Sequence, residues 1–456
     1  MYANLEWAKS IQEQGWLNPH PHHPYVTWMK PIGTLDDWTR WWGGEQIFQQ
    51  SPLYAYFLAL MLSIFNNVLY VHVVQGLCGM ALCVLLGLIA ARLGGDHRAG
   101  WIAFAIAALY APFYAYSWAL LRDIIAWVVT AGLLLVLIEL TGDRQPRGRQ
   151  RLLAFGAGLL LGFGYLTREI FALLAPLVAL ACAFYFLRRR EYLSPVLVVI
   201  GTGLVLLPLL IRNHQVGAPL FSTSNRFAEG IIIGHAGSAE FSKFTIPTEA
   251  RSIFEKSDGR PGRVIVEALR TQPSFASWFR LQCNKALSVF DPYEPIDNVN
   301  LYFFGHISPL VSFGLRHWTV LIPGLGGLLL SLSRRNLRHA WLWLFLPVLM
   351  ANLLIAQPMS RYRQFLMVLW IPWAAYFLLE LIKAIRSDRR LACVMAGLLV
   401  AGWTACLGPL ARVPPKEYDR PVEYSFAARI YENLGDTERA NEMREIVREK
   451  FPEWDR

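Results

Sequence analysis

Ten apolar runs, each long enough or nearly long enough to cross ~20 residues of hydrocarbon, limit what this chain can fold into. They occupy residues 69–93, 99–117, 121–141, 152–167, 170–187, 193–211, 317–333, 341–357, 365–385 and 392–411. With 55% hydrophobic and only 17% charged residues, the chain is too apolar for a soluble multidomain protein. The expected fold class is an all-α polytopic membrane protein of about ten transmembrane helices, with an outward-facing mixed loop lobe and a short helical-hairpin tail.

The distribution of charge orients these runs. Arg144, Arg147, Arg149 and Arg151, then Arg188, Arg189 and Arg190, then Arg334, Arg335 and Arg338, then Lys383, Arg386, Arg389 and Arg390 occupy alternate turns. Cytoplasmic loops collect Lys and Arg, so these turns face inward and the net charge of +10 belongs to topology, with no nucleic-acid partner implied. The chain then divides into an outer loop with an interfacial helix (1–68), a first half-bundle (69–211), an outer lobe (212–316), a second half-bundle (317–411) and an outer helical tail (412–456). The expected location is a cytoplasmic (inner) membrane, with the active face extracytoplasmic.

The first 57 residues are wet and rich in tryptophan, with Trp7, Trp16, Trp28, Trp38, Trp41 and Trp42 among Pro, His and Gly. That composition suits neither a lipid-facing helix nor a signal peptide, so it predicts a folded loop lying on the membrane. Residues 51–66 are apolar but shorter than a span and predict a helix at the outer interface. Five of the six cysteines (Cys78, Cys83, Cys182, Cys393 and Cys406) lie in apolar runs and Cys283 does not, so no disulfide framework is read. The tail reads as two short helices around Leu434 and Gly435. One tetratricopeptide repeat and a helical hairpin docked on the lobe both fit, and the hairpin is favoured because a single repeat cannot bury its own face.

Polar groups at the outer ends of spans are where chemistry can sit. Arg122 and Asp123 share one outer turn, Arg168 and Glu169 the next, Arg212 opens the lobe, and Arg361 and Arg363 bracket Tyr362. Each Arg alone could snorkel to headgroups. Together Arg212, Arg361 and Arg363 suggest a phosphate cluster, because guanidinium forks bind phosphate oxygens bidentately. Asp123 could cap its helix or serve the site. Asp36, Asp37 and Glu45 are ordinary loop acids on composition, with Glu45 nearest the membrane. His20, His22 and His23 have no Cys or acidic partner at ligand spacing, so no metal site is predicted. There is no phosphate-cradling Gly loop and no Walker lysine, which removes ATP-driven transport.

Several pieces recur together in one family. They are Tyr2-Ala-Asn-Leu-Glu-Trp-Ala-Lys-Ser-Ile11 with Gly15, Gln46-Ile-Phe-Gln-Gln-Ser-Pro-Leu-Tyr-Ala-Tyr-Phe-Leu58, Leu120-Leu-Arg-Asp123, Leu166-Thr-Arg168, Arg212-Asn213 with Gly217, Lys285 followed by Tyr293-Glu294 and Asp297-Asn298, and Ser360-Arg-Tyr-Arg363. In this order they resemble the bacterial GT-C type membrane glycosyltransferases, the protein O-mannosyltransferase and aminoarabinose transferase relatives whose subgroup carries C-terminal tetratricopeptide repeats. The resemblance implies an inverting enzyme that takes a sugar from a polyprenyl-phosphate donor in the outer leaflet of the bilayer. The acceptor is then a protein, lipid or glycan.

On that reading Asp123 is the second acid of the site, orienting the acceptor or a divalent cation, the one cofactor considered. Arg212, Arg361 and Arg363 hold the donor phosphate with help from Lys285. Tyr2, Tyr54, Tyr56, Arg122, Arg168, Glu294 and Tyr362 line the cavity, and Glu45 with residues 46–56 shapes its mouth. In such relatives the base is an Asp of the first outer loop, just before the Tyr that matches Tyr2, and a transmembrane helix precedes it. The chain as given begins after both, which implies an N-terminally shortened, inactive form of a longer protein. Otherwise the base role shifts to Asp36, Asp37 or Glu45. A lipid-linked sugar flippase would instead need charges at mid-span and broken helices, and an inactive scaffold would work through its tail.

The topology is testable by cysteine labelling in intact cells. A cysteine at position 425 should label from outside and one in the 144–151 loop should not. Labelling of the loop but not of position 425 overturns the orientation.

Overall fold

The structure, a computed structural model, describes residues 2–142, 145–241, 245–408 and 420–452, with the Tyr2 side chain outside that set. The N-terminal segment forms α1 (Tyr2–Gln14), α2 (Leu35–Trp41) and α3 (Leu53–Phe65). The first half-bundle follows as α4 (Val68–Gly94), α5 (His97–Leu109), α6 (Ala111–Ser117), α7 (Asp123–Thr141), α8 (Arg147–Thr167), α9 (Phe171–Arg188) and α10 (Leu193–Val216). The lobe contains α11 (Phe227–His235), α12 (Ala250–Ser257), α13 (Pro261–Arg270), α14 (Phe275–Ser288), α15 (Leu301–Ile307) and α16 (Pro309–Phe313). Then come α17 (His317–Ser333), α18 (Ala340–Ile355), α19 (Ser360–Ser387), α20 (Arg389–Leu407) and the tail pair α21 (Pro421–Asn433) and α22 (Thr437–Lys450).

Every expected apolar run holds a helix, and among the described residues seven helical segments are long and apolar enough to cross a membrane. These are α4, α7, α9, α10, α19, α20 and the stretch Leu337–Ile355 that contains α18. The other three runs fall on α5 and α17, which are shorter, and on α8, whose first turns carry Arg147, Arg149 and Arg151. Arg144 lies outside the described residues. Run 99–117 is not one helix. It breaks at Tyr110, just before Pro112, and the freed backbone groups are taken up by Leu315: Ala111 N–H donates to Leu315 O at 3.0 Å and Leu315 N–H to Leu109 O at 2.7 Å.

Caps place the turns. Asn67, Asp96 and Asp388 each accept a bond from a first-turn N–H of the helix that follows. α19 is the buried axis of the bundle, and Trp370, Trp373 and Phe365 on it are at most 2% exposed. Small residues let helices of the bundle close on one another. A Cβ added to Gly327 of α17 would lie 2.0 Å from Trp373 O, and one on Gly158 of α8 would lie 2.2 Å from Val198 O of α10. Thr202 of α10 also donates to Gly158 O at 3.0 Å, which holds α8 and α10 together.

The tryptophan-rich segment folds against the lobe. Trp38, Trp41 and Trp42 are buried with Ile231, Ile253 and Phe254, and the Trp41 and Phe254 rings stack at 4.7 Å. Gly259, at φ +67°, passes so close to Trp41 that a Cβ would meet its carbonyl oxygen at 2.0 Å. Where a mixed lobe was expected, the described residues of 217–316 form short helices only, because amphipathic pieces such as α13 bury Val264 and Ala268 against α11. The tail is a helical pair whose Tyr424 packs on Phe303 of α15.

The close approach of α8 and α10 predicts that Gly158→Ala lowers the thermal midpoint in detergent by several degrees, from about 1–3 kcal/mol of overpacking. Gly156→Ala, with nothing within 4 Å of the added carbon, should leave it unchanged. Equal midpoints for the two variants would show that the contact does not hold the pair.

Candidate functional site

Where α7 begins, α8 ends and α19 begins, the structure encloses a cavity of about 370 Å³. Residues 221–230 and the turn 355–359 close it from the lobe side. Four arginines, Arg122, Arg168, Arg226 and Arg361, line it, and each meets a carboxylate. Arg122 holds Glu169 bidentately at 3.0 and 3.1 Å. Arg168 pairs with Asp123, both almost fully buried. Arg226 reaches Glu229 at 2.9 Å, and Arg361 Nε lies 3.0 Å from Asp297 Oδ2. Tyr362 stands among them, with the Arg168 and Arg361 guanidiniums 5.2 and 4.8 Å from its ring centre.

These partners arrive from separate segments. Arg122 and Asp123 end the outer turn before α7, and Arg168 and Glu169 form the next outer turn, between α8 and α9. Burial raises the Glu169 carboxyl, but the guanidiniums of Arg122 and Arg168 outweigh it and hold it well below the usual carboxylate range. The N-terminal segment touches residues that line the cavity: Ser51 Oγ donates to Glu169 Oε1 at 3.2 Å, Trp42 Nε1 to Glu229 Oε1 at 2.9 Å, and Ser224 Oγ to Gln49 O at 3.0 Å.

The turn between α18 and α19 is clamped from the lobe. Lys285 Nζ donates to the carbonyl oxygens of Gly234, Leu354 and Ala356 at 2.5, 3.0 and 2.7 Å. Burial pushes its ammonium down to about 7. His235 joins Ile355 O at 3.0 Å through Nε2 and accepts from Trp278 Nε1 at Nδ1, a pairing that suits the neutral ring. Burial and the Lys285 ammonium lower its pKa to about 4. Lys285 therefore aims Gln357 and Arg361 into the cavity without lining it.

The expected phosphate cluster is divided. Arg361 lines the cavity, whereas Arg212 and Arg363 do not. Arg212 donates to the carbonyl oxygens of Leu17, Gln46 and Asn18 at 2.9, 2.7 and 2.7 Å and lies over the Phe48 ring at 4.1 Å. Arg363 donates to Ser288 O, Tyr293 O and Asp291 O. Both bind main-chain carbonyl oxygens of irregular backbone, so they pin loops to spans. Sequence spacing cannot reveal this, because the acceptors are main-chain atoms up to 195 residues away.

The expected acids are also spread. Glu45 is exposed beside His20, Asp36 is exposed, and Asp37 completes a capping box with Thr34 at the start of α2. Tyr54 donates to Gln75, Tyr56 donates to Trp16 O, and Glu294 accepts from Gln364 at 3.3 Å, all away from the cavity wall. Arg226 and Glu229, missed in the sequence, carry only the signal of an i, i+3 pair at a helix start. Among the described residues no three His, Cys, Asp or Glu side chains converge to hold a metal ion.

Comparison with known proteins covers part of the segments that build this cavity. Residues 49–212 match the family described as Dolichyl-phosphate-mannose-protein mannosyltransferase. No curated protein matches the chain. Among solved structures, the archaeal oligosaccharyltransferase AglB from Archaeoglobus fulgidus, in complex with an inhibitory peptide and a dolichol-phosphate, is 15% identical at a TM-score of 0.43, over 97% of this chain and 59% of that one. ArnT from Cupriavidus metallidurans, bound to undecaprenyl phosphate, is 15% identical at a TM-score of 0.37, over 84% of this chain and 73% of that one. The chain thus spans 59% of the length of AglB. The family match covers the stretch from just before α3 into α10, and the chain resembles that family there.

Proposed function

We propose that this chain transfers a sugar from a polyprenyl-phosphate donor to an acceptor on the extracytoplasmic face of a cytoplasmic membrane. The observation that carries this reading is the cavity in which four arginines face carboxylates, three of the arginines at span ends away from the arginine-rich turns and Arg226 in the lobe. A phosphate at Arg361 would replace Asp297 on the guanidinium, so the charge lost in one pair is regained in another. Arg226 lines the same cavity and can share that phosphate. The carboxylate released by that exchange is Asp297, which would take the acceptor's proton as the glycosidic bond forms and the polyprenyl phosphate leaves on Arg361. Asp123, behind Arg168, orients that guanidinium as a positioning residue. An apolar wall of Ile170, Ile233 and Phe365 excludes water from the sugar.

The reading predicts a division among the arginines. Arg361→Lys keeps charge but loses the planar fork, and should weaken binding of undecaprenyl phosphate, followed by intrinsic tryptophan fluorescence, about tenfold or more. Native affinity in that variant would sink the phosphate role. Arg212→Lys and Arg363→Lys should instead lower the thermal midpoint, because buried carbonyl oxygens are left unpaired, while the folded fraction binds the lipid normally. Weakened binding without lost stability in either would return it to the phosphate cluster.

A further inference from the structure

A second cationic cavity opens at the other end of the same helices. It measures about 900 Å³ and lies where α4 meets α5, where α7 turns into α8, where α9 ends and where α18 approaches. Arg92, Arg149, Arg189 and Arg338 line it with His97, against two carboxylates, Asp96 and Glu139. Both carboxylates are committed. Asp96 caps α5 by accepting from Arg98 N–H at 2.9 Å, and Glu139 pairs with Arg92 and, at 3.2 Å, with Arg149. That leaves Arg189 and Arg338 without a carboxylate among the described residues.

The backbone makes room for these two. Gly95 is in the left-handed region at φ +62°, and a Cβ there would lie 2.9 Å from Arg338 Nη1, so the guanidinium rests over a position without a side chain. The Arg189 guanidinium is held 4.3 Å from the Tyr185 ring centre, and the preceding Arg188 lies 4.1 Å over Phe184. Charge segregation between the two sides of a membrane accounts for arginines in these turns. It does not account for their convergence, from four separate turns, on one concave space. Next to Arg189, α9 exposes Leu180, Phe184 and Leu187 at one-turn spacing, a surface suited to acyl chains.

We propose that this cavity binds the phosphate of an anionic phospholipid headgroup in the leaflet opposite the candidate active site. Arg189 and Arg338 would hold the phosphate oxygens, and the acyl chains would run down α9. Basic pockets between transmembrane helices recognise such headgroups by charge and by the fork of the guanidinium. The proposal needs the bundle to cross a membrane and does not depend on sugar transfer, so its test has no activity readout.

The test uses the purified full chain in mild detergent, with lipid binding followed by native mass spectrometry. Phosphatidylglycerol is compared with phosphatidylcholine of the same acyl chains. The native chain should bind phosphatidylglycerol more tightly, and Arg189→Gln with Arg338→Gln should weaken that binding about 30-fold. The paired variant Arg386→Gln with Arg390→Gln, on the same side but outside the cavity, should bind as the native chain does. Glu139→Gln releases Arg92 and Arg149 toward the ligand and should tighten phosphatidylglycerol binding, a result that stands even if the first double variant fails to fold. Equal binding of the two lipids, or equal loss in both double variants, overturns the proposal. Displacement of phosphatidylglycerol by millimolar inorganic phosphate with native affinity for the free ion overturns the lipid assignment and leaves a soluble phosphate site.

Discussion

A guanidinium removed from water must keep partners for its charge and its N–H groups, and this constraint organises the upper end of the molecule. Four arginines around one cavity are each matched by a carboxylate, and three of the four pairs join segments distant in sequence. Losing one partner of such a buried pair costs about 3–5 kcal/mol, because the other charge is left unpaired. The pairs therefore act as cross-links. They tie the turn before α7 to the turn after α8, and the lobe to the start of α19. A bundle held by lipid-facing packing alone would have no such register between its outer loops, since apolar side chains gain little from leaving lipid for protein.

The same constraint makes the cavity suited to an anion. With every positive charge already balanced, an incoming phosphate does not meet an unpaired cation. It exchanges with a carboxylate that remains nearby, which keeps the desolvation cost low and leaves a basic oxygen next to the new ligand. Arg361 and Asp297 both line the cavity and keep 16% and 7% of their side-chain surfaces exposed, so this pair can make the exchange. Arg168 and Asp123 are sealed and serve to hold the wall in place.

Positive charge that binds main chain has a different role. Arg212, Arg363 and Lys285 each donate to at least three backbone carbonyls in places where no helix or strand satisfies them. They solve the problem of irregular backbone packed against spans. Arg212 anchors the N-terminal loop, Arg363 the segment before α15, and Lys285 the turn that presents Arg361. Removing any of them would disturb the site from outside it.

What the sequence determined by itself was the class of fold and the positions of the helices. Hydrocarbon admits only backbone that satisfies its own hydrogen bonds, so apolar length alone marked where helices stand, from α4 to α20. It also marked Arg122, Arg168, Arg361 and Tyr362 as residues at span ends, and all four line one cavity. Tertiary structure alone decided which charges meet. Arg212 and Arg361 look alike as outward arginines beside apolar runs, yet one faces three carbonyls and the other a carboxylate in a cavity. Arg226 and Glu229 entered the site only through the fold of the lobe, as did the break at Tyr110, which depends on Leu315 for its missing bonds. Electrostatic and hydrogen-bonding partners are chosen by proximity in space over separations of tens to hundreds of residues. Periodicity and charge order along one chain do not contain that information.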